Sequence, residues 1–371
     1  IGVHSLLKSA RLSSGGKTLI EIQDHNVLTA YESTFLSNEH NVEKEMFSTG
    51  RMVNHNFQYD ISASGAKAQG VYLDNKMDYS EHEGEYVMPS VLEISNEANL
   101  QIALSDIFPF LRRQQLPLFM MQEQVTLELT FEPSAGRQWQ SGIEAINFDI
   151  DTSETKLIAD YIYYPAEMMA GYAAANKELT LTYMNYRLSK TSIDAGTELK
   201  IRNVGGNGRI CTKIIGGLQD DAQDGVINML NKYSSIYPAG SATSAGSVTL
   251  NIRYNNHLLY PLDVSNNAQH QHNTAQAQGM VPFVTRFEYC GEGGQVSMSD
   301  STLAGANIRS GLGSKFGWTA HRLNRNERIN SRGIEYHTQY ATNSGSRTQR
   351  VWLELVRMAT LSDGKFQVFD A

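Results

Sequence analysis

Between Ala103 and Glu132 the hydrophobic period of the chain changes, and that change constrains the fold more than any other stretch. From Gln124 the period is two. Val125, Leu127, Leu129 and Phe131 point one way while Thr126, Glu128, Thr130 and Glu132 point the other, the pattern of a strand with one buried face. Ahead of it, a short helix is predicted over Asp106 to Gln115. Ser105 or Asp106 is placed to cap its first turn, where Pro109 is tolerated, and Pro117 marks its stop. Ile107, Phe108, Phe110 and Leu111 give this turn a broad apolar surface. A half-buried strand cannot stand alone: it needs strands beside it and a second layer beneath.

The rest of the chain supplies candidates for those partners. Strands are predicted at Thr18 to Ile22, in several short pieces between Met52 and Ile94 with a turn at Ser64-Gly65, at Ile143 to Ile150 and at Lys156 to Tyr164. Residues up to Lys17 read as an arm or turn, and Pro133 to Gly142 as a polar loop. Further strands are predicted at Leu179 to Leu188, Glu198 to Val204, Arg209 to Ile215 and Val248 to Tyr254. The Gly205-Gly206-Asn207-Gly208 turn reads as a hairpin between the middle two. Val226, Ile227, Met229, Leu230 and Tyr233 fall at helical spacing, so a second amphipathic helix is predicted over Asp220 to Tyr233.

At 371 residues the chain is longer than one core usually serves, and two domains are expected, 1–170 and 171–371. Ala166 to Lys177 lacks strand periodicity and reads as their connection, with room for one helical turn. Two echoes support a duplication. VTLELTF at Val125 to Phe131 returns as VTLNIRY at Val248 to Tyr254, and KLIADYIYY at Lys156 to Tyr164 has a counterpart in RVWLELVRM at Arg350 to Met358. With 19% charged residues, 30 glycines and 18 tyrosines, the composition is that of an ordered, turn-rich β protein.

Chemistry is harder to find. No nucleophile elbow, paired-histidine zinc helix, Cys-x-x-Cys pair or EF-hand loop is present, and Gly311-x-Gly313 with Gly317 has the wrong spacing for a dinucleotide. Glu39, His40 and Glu43 read as a solvated charged face, Glu81 to Glu85 as a turn, and His270-x-His272 as an exposed loop. No metal or organic cofactor is therefore expected. Cys211 and Cys290 are too few for a disulfide framework, though one bridge between them stays open. Lys8 and Arg11 interrupt the first apolar pieces, so no signal peptide is read there and an intracellular product is expected.

A net charge of -8 opposes general coating of nucleic acid. The last quarter is nevertheless basic, with Arg309, Lys315, Arg322, Arg325, Arg328, Arg332, Arg347, Arg350 and Arg357 against Glu327, Glu335 and Glu354. Arg322, Arg325, Arg328 and Arg332 form the candidate basic patch. It reads first as an interface edge facing the acidic first half of a neighbouring subunit, and second as an inner surface toward genome or membrane headgroups. A carbohydrate-binding or carbohydrate-cleaving β-sandwich is the alternative reading, since tyrosines can line a sugar groove.

The apolar turn, the Leu116-Pro117-Leu118-Phe119 step and the Val125 to Phe131 strand resemble the first half of double jelly-roll major capsid proteins of eukaryotic double-stranded DNA viruses. That lineage includes nucleocytoplasmic large DNA viruses, virophages and polinton-like viruses. The resemblance implies an all-β chain of two consecutive eight-stranded jelly-roll sandwiches with short helices in loops. It implies a structural, non-enzymatic role in homotrimeric, pseudo-hexagonal capsomers of an icosahedral shell, in a virion assembled inside the host cell. Its partners would be neighbouring capsomers and minor capsid or penton proteins, with an internal membrane or the genome as candidate contacts and no small-molecule substrate. Phe108, Phe110, Leu118, Phe119, Met120 and Met121 exceed what a short buttressing turn needs, which also predicts a permanent interface.

Overall fold

The structure, a computed structural model, describes residues 2–29, 57–62, 65–72, 101–112, 116–132, 138–141, 144–147, 150–160, 162–193, 199–206, 208–220, 249–254, 257–261, 273, 276–277, 318–323, 333–339 and 347–370. It is an all-β chain, as expected, and every ladder among these residues is antiparallel. Predicted features at Glu39 to Glu43, Glu81 to Glu85, Tyr86 to Ile94, 221–233, His270 to His272 and Gly311 to Gly317 lie outside the described residues.

The first sheet begins earlier than the sequence suggested. Residues read as an arm include a strand, β1 (Leu7–Ser14), which turns through Gly15 and Gly16 into β2 (Lys17–Gln23). Both glycines have positive φ, 55° and 77°, which a side chain would oppose, so the Gly-Gly pair fixes this hairpin. Strand β1 was missed because Lys8, Ser9 and Arg11 dilute its pattern, yet Leu7, Ala10 and Leu12 are buried. Two more hairpins follow in sequence. One, β3 (Phe57–Ser62) with β4 (Gly65–Tyr72), sits at the expected turn; the other, β6 (Gln138–Ser141) with β7 (Glu144–Asn147), begins inside the predicted polar loop.

The organising stretch is largely as read. Strand β5 (Val125–Phe131) pairs with the free side of β1, giving the order β2-β1-β5. Val125, Leu127, Leu129 and Phe131 face the core but remain half-buried, while Thr126, Glu128 and Thr130 are exposed. The predicted helix is shorter and differently capped: α1 spans Leu104–Ile107 behind Ala103, a 3-10 turn follows at Pro109–Arg112, and no side chain caps the start. Ser105 and Asp106 lie inside it, Asp106 accepting from Arg112 at 2.6 Å. Ile107, Phe108 and Phe110 are buried as their spacing required.

The second half builds a sandwich. Its strands are β8 (Glu178–Ile193), β9 (Leu199–Gly205), β10 (Cys211–Asp220), β11 (Thr249–Tyr254), β12 (His257–Leu258), β13 (Trp318–Arg322), β14 (Ile334–Gln339), β15 (Arg347–Ser362) and β16 (Lys365–Asp370). One sheet runs β13-β10-β15-β16 with β8 also on β15, and the other runs β12-β11-β14-β9. The Gly205 to Gly208 turn is therefore not a hairpin. Strand β9 pairs with β14 while β10 pairs with β13 and β15, so the turn carries the chain between sheets, using positive φ at Gly205, Gly206 and Gly208.

Strand β15 occupies the middle of three layers. Val351, Leu353 and Leu355 join Ile214, Ile252 and Tyr336 in a core against the four-stranded sheet. Gly216 belongs to the same contact, since a Cβ there would overlap the Tyr336 hydroxyl. Trp352 faces the opposite way, into a core with Leu12, Ile20, Phe108 and Phe110 of the first half, joined further along by Ala359, Leu361 and Phe366. The first sheet thus packs on the outer face of the second half's sandwich.

Candidate assembly surface

Several groups the sequence offered as surface charge are spent inside. Arg350 is 1% exposed, and its Nε donates to Asp24 at 2.6 Å, with Lys190 Nζ on the same carboxylate at 3.5 Å. Arg357 donates to the Leu19 carbonyl at 3.0 Å. These two arginines tie the first sheet to the second half and leave the basic surface read from the last quarter. Trp352 Nε1 donates to Gln23 O at 3.2 Å, Tyr183 OH to Leu19 O at 2.6 Å, and Lys17 Nζ to Phe366 O at 2.8 Å. Each finds a strand carbonyl in the facing layer. Of the candidate patch, Arg322 is exposed at the end of β13, and Arg325, Arg328 and Arg332 lie outside the described residues.

Two polar groups deeper in the body are satisfied in ways sequence could not show. Glu354 accepts from Tyr186 OH at 3.0 Å and Thr212 Oγ1 at 2.5 Å, and pairs with Lys213 at 3.3 Å. Thr212 and Lys213 are adjacent, and both reach one carboxylate because the β10 register slips between Cys211 and Lys213. The Cys211 thiol is buried and free, pushed up to about 12 by burial and then by the Glu354 charge; Cys290 is outside the described residues. At the other end, His4 Nδ1 meets His25 Nε2 at 3.2 Å, with Thr29 Oγ1 also 3.2 Å from that nitrogen. Burial first, and His4 second, lower the His25 pKa to about 3. Among the described residues no three His, Cys, Asp or Glu side chains gather as a metal set.

The surface itself carries what the interior does not. Residues 155–160 and 162–165 form no strand, against the prediction for Lys156 to Tyr164, and the echo with Arg350 to Met358 ends there because only the later copy is a strand. The segment leaves an Asp151 turn in which Ser153 N and Oγ donate to Asp151 Oδ1 at 2.8 and 2.6 Å, bonds that hold the Asp151 pKa below its ordinary value. Ile158 and Tyr163 are 82% and 85% exposed, and Leu157 and Ile162 are also exposed. No backbone hydrogen bond joins Leu157, Ile158, Ala159, Asp160 or Ile162 to another described residue.

Pro165 then starts α2 (Ala166–Ala175), a full helix where one turn was expected. Its alanines favour helix, Pro165 suits the start, and Asn176 closes it on the Tyr172 carbonyl with backbone N at 2.9 Å and side chain at 3.0 Å. Met169, Ala173 and Asn176 make its half-buried line, whereas Met168 and Tyr172 are exposed. Tyr172 meets Phe119 edge to face at 5.8 Å, joining α2 to the exposed 3-10 turn Leu118–Met120. Of the apolar residues predicted to be interfacial, Phe108 and Phe110 belong to the core, while Leu118 and Phe119 are exposed.

No protein-family model matches this sequence. No curated protein matches it either. Among solved structures, the chain is similar to the capsid of the virus PBCV-1, with 9% identity and a TM-score of 0.49 over 100% of this chain and 84% of that one. The mavirus major capsid protein aligns at 9% identity and TM-score 0.42, covering 99% and 77%. The Faustovirus major capsid protein aligns at 8% identity and TM-score 0.42, covering 96% and 72%.

Proposed function

We propose that this chain is a double jelly-roll major capsid protein, its two sandwiches falling in 1–170 and 171–371, and that it forms homotrimeric, pseudo-hexagonal capsomers of an icosahedral virion. The family resemblance of residues 103–132 implies that role, and two of the similar solved proteins carry the name major capsid protein. One observation carries the reading. A cross-braced stack of β layers displays a long apolar segment and an apolar helix to solvent, and such surface suits a permanent interface rather than a lone monomer. In this role the sheets are walls, the work is mechanical, and neighbouring capsomers and minor capsid or penton proteins are the partners.

The carbohydrate alternative loses support, because Tyr183, Tyr254, Tyr260 and Tyr336 are core residues rather than lining for a sugar groove. The test is the mass of the expressed chain by light scattering, together with electron microscopy of its assemblies. Three times 41.3 kDa is the expected mass, with modest weakening in high salt from the charged part of the contact. A monodisperse monomer at micromolar concentration would overturn the proposal.

A further inference from the structure

We infer that α2 pairs antiparallel with the α2 of a second copy of this chain across a two-fold axis, with Gly171 at the crossing. The inference rests on the capsid reading only for the supply of closely spaced copies, and it names a contact between capsomers rather than within one. The composition and exposure of the helix carry it together. Of its ten residues only Glu167 is charged, the others being Ala, Met, Gly and Tyr. A helix that is apolar all round belongs in an interior. Yet eight of the ten positions are exposed, because the subunit takes up only the line of Met169 and Ala173, continued by Asn176. Met168 is 60% and Tyr172 47% exposed.

The outward face is shaped to receive another helix. By helical spacing, Glu167, Gly171, Ala174 and Ala175 lie opposite the line of Met169 and Ala173, with Met168 and Tyr172 on one flank and Ala170 on the other. Gly171 is the informative position. Glycine is less favourable than alanine inside a helix, and a Cβ at Gly171 would meet nothing within 4 Å, so the subunit's own packing does not call for its smallness. A second backbone crossing at that point does call for it.

The same face complements itself. An antiparallel crossing at Gly171 sets Met168 of each helix beside Ala174 of the other, and brings the exposed Glu167 near one end toward the exposed Lys177 just past the other end of the second helix. Large residues then face small ones and each carboxylate faces an ammonium, as a contact made by one patch on both copies requires. Leu118 and Phe119 extend the patch, held beside the helix by the Phe119 and Tyr172 rings. At these exposures each copy contributes on the order of 600–700 Å² of largely apolar surface. The pair buries roughly 1,200–1,400 Å², the lower part of the range for a standard specific interface.

The test uses the full chain in sedimentation over a concentration series, with the melting temperature of each variant. Gly171→Leu puts its side chain into space that is open in the subunit, so melting is expected to hold or rise while pairing weakens at least about tenfold. Lys177→Glu is expected to weaken pairing about two- to fivefold at low salt and to change little at high salt. Under mild oxidation Gly171→Cys is expected to give a disulfide-linked pair of chains that the wild type does not give, since the two-fold brings position 171 against itself. Trimers that associate no further, that associate equally well with Gly171→Leu, or that give no linked pair with Gly171→Cys would overturn this inference and leave the capsid reading standing. Pairs without trimers would support the helix contact and overturn the capsomer. A wild type that stays monomeric at micromolar concentration would overturn both.

Discussion

The sheet centred on β15 is covered on both faces, and the two coverings are held differently. Against the four-stranded sheet the contact is mainly apolar: Ile214, Val351, Leu353 and Leu355 meet Ile252 and Ile334, burial of each large side chain contributing about 1.5–3 kcal/mol, with the buried Gln349–Thr338 hydrogen bond at 3.1 Å and the Tyr260–His321 bond at 2.7 Å among its polar links. Against the first sheet, the apolar contact around Trp352 is crossed by the Arg350–Asp24 ion pair and by donors from Trp352, Tyr183, Arg357 and Lys17 to strand carbonyls. A mainly apolar face tolerates small slides better. A face whose charges and indole must each find one particular oxygen does not, because a shift of one residue leaves a buried donor unpaired. The polar face therefore sets where the first sheet sits, and the mainly apolar face supplies bulk stability.

That contrast can be broken most sharply at Arg350. Arg350→Ala leaves Asp24 in a nearly closed site with only Lys190 at 3.5 Å, and a loss of about 3–5 kcal/mol is expected in denaturant unfolding. Arg350→Met should lose somewhat less, since Asp24 loses the same partner but the longer side chain fills the space of the arginine stem. Next in size is Leu353→Ala on the mainly apolar face, expected to cost about 3 kcal/mol through lost burial and a cavity, and to leave hydrogen exchange of β2 unchanged relative to β1.

Acid gives a smaller effect confined to the first sheet. His25 has a folded pKa of about 3 against an ordinary 6.5, so between those values the unfolded chain binds a proton that the folded chain refuses. Stability should therefore fall as pH drops from about 6.5 toward 3, by at most ~1.4 kcal/mol per unit and ~2 kcal/mol by pH 5. Melting curves at pH 7.5 and 5 would read this, with the slope reduced in His25→Gln. The smallest change is at the edge: Thr126→Asp should stay within about 0.5 kcal/mol, whereas Leu127→Asp on the other face of β5 should prevent folding.

The sequence was legible wherever one face of an element is buried and the other is wet. Strand β5 shows this, because its alternation is the physical cause of its position. Strand β1 hid for the opposite reason, its buried positions being filled partly by Ala10, Ser13 and Ser14. Lys156 to Tyr164 misled because apolar alternation reports a wish for partners, not their presence within the chain. Helix α2 gave no period to read, since alanine carries helix propensity without marking a face. The exposed apolar surface was half visible, through Leu118 and Phe119, but its larger part was assigned to a strand. The Asp24–Arg350 pair could not be read from local pattern at all, since 326 positions separate its members.

That separation has a consequence for how the chain is made. At roughly 5–20 residues per second, Arg350 follows Asp24 out of the ribosome by about 15–65 seconds. Throughout that interval the hairpin of β1 and β2 exists with its inner face and the Asp24 carboxylate lacking their final cover, and contacts this distant close slowly even once available. The nascent hairpin must wait in a form that neither aggregates nor commits to another partner. Chaperone residence on the emerging chain is therefore expected to end only when β15 has been synthesised.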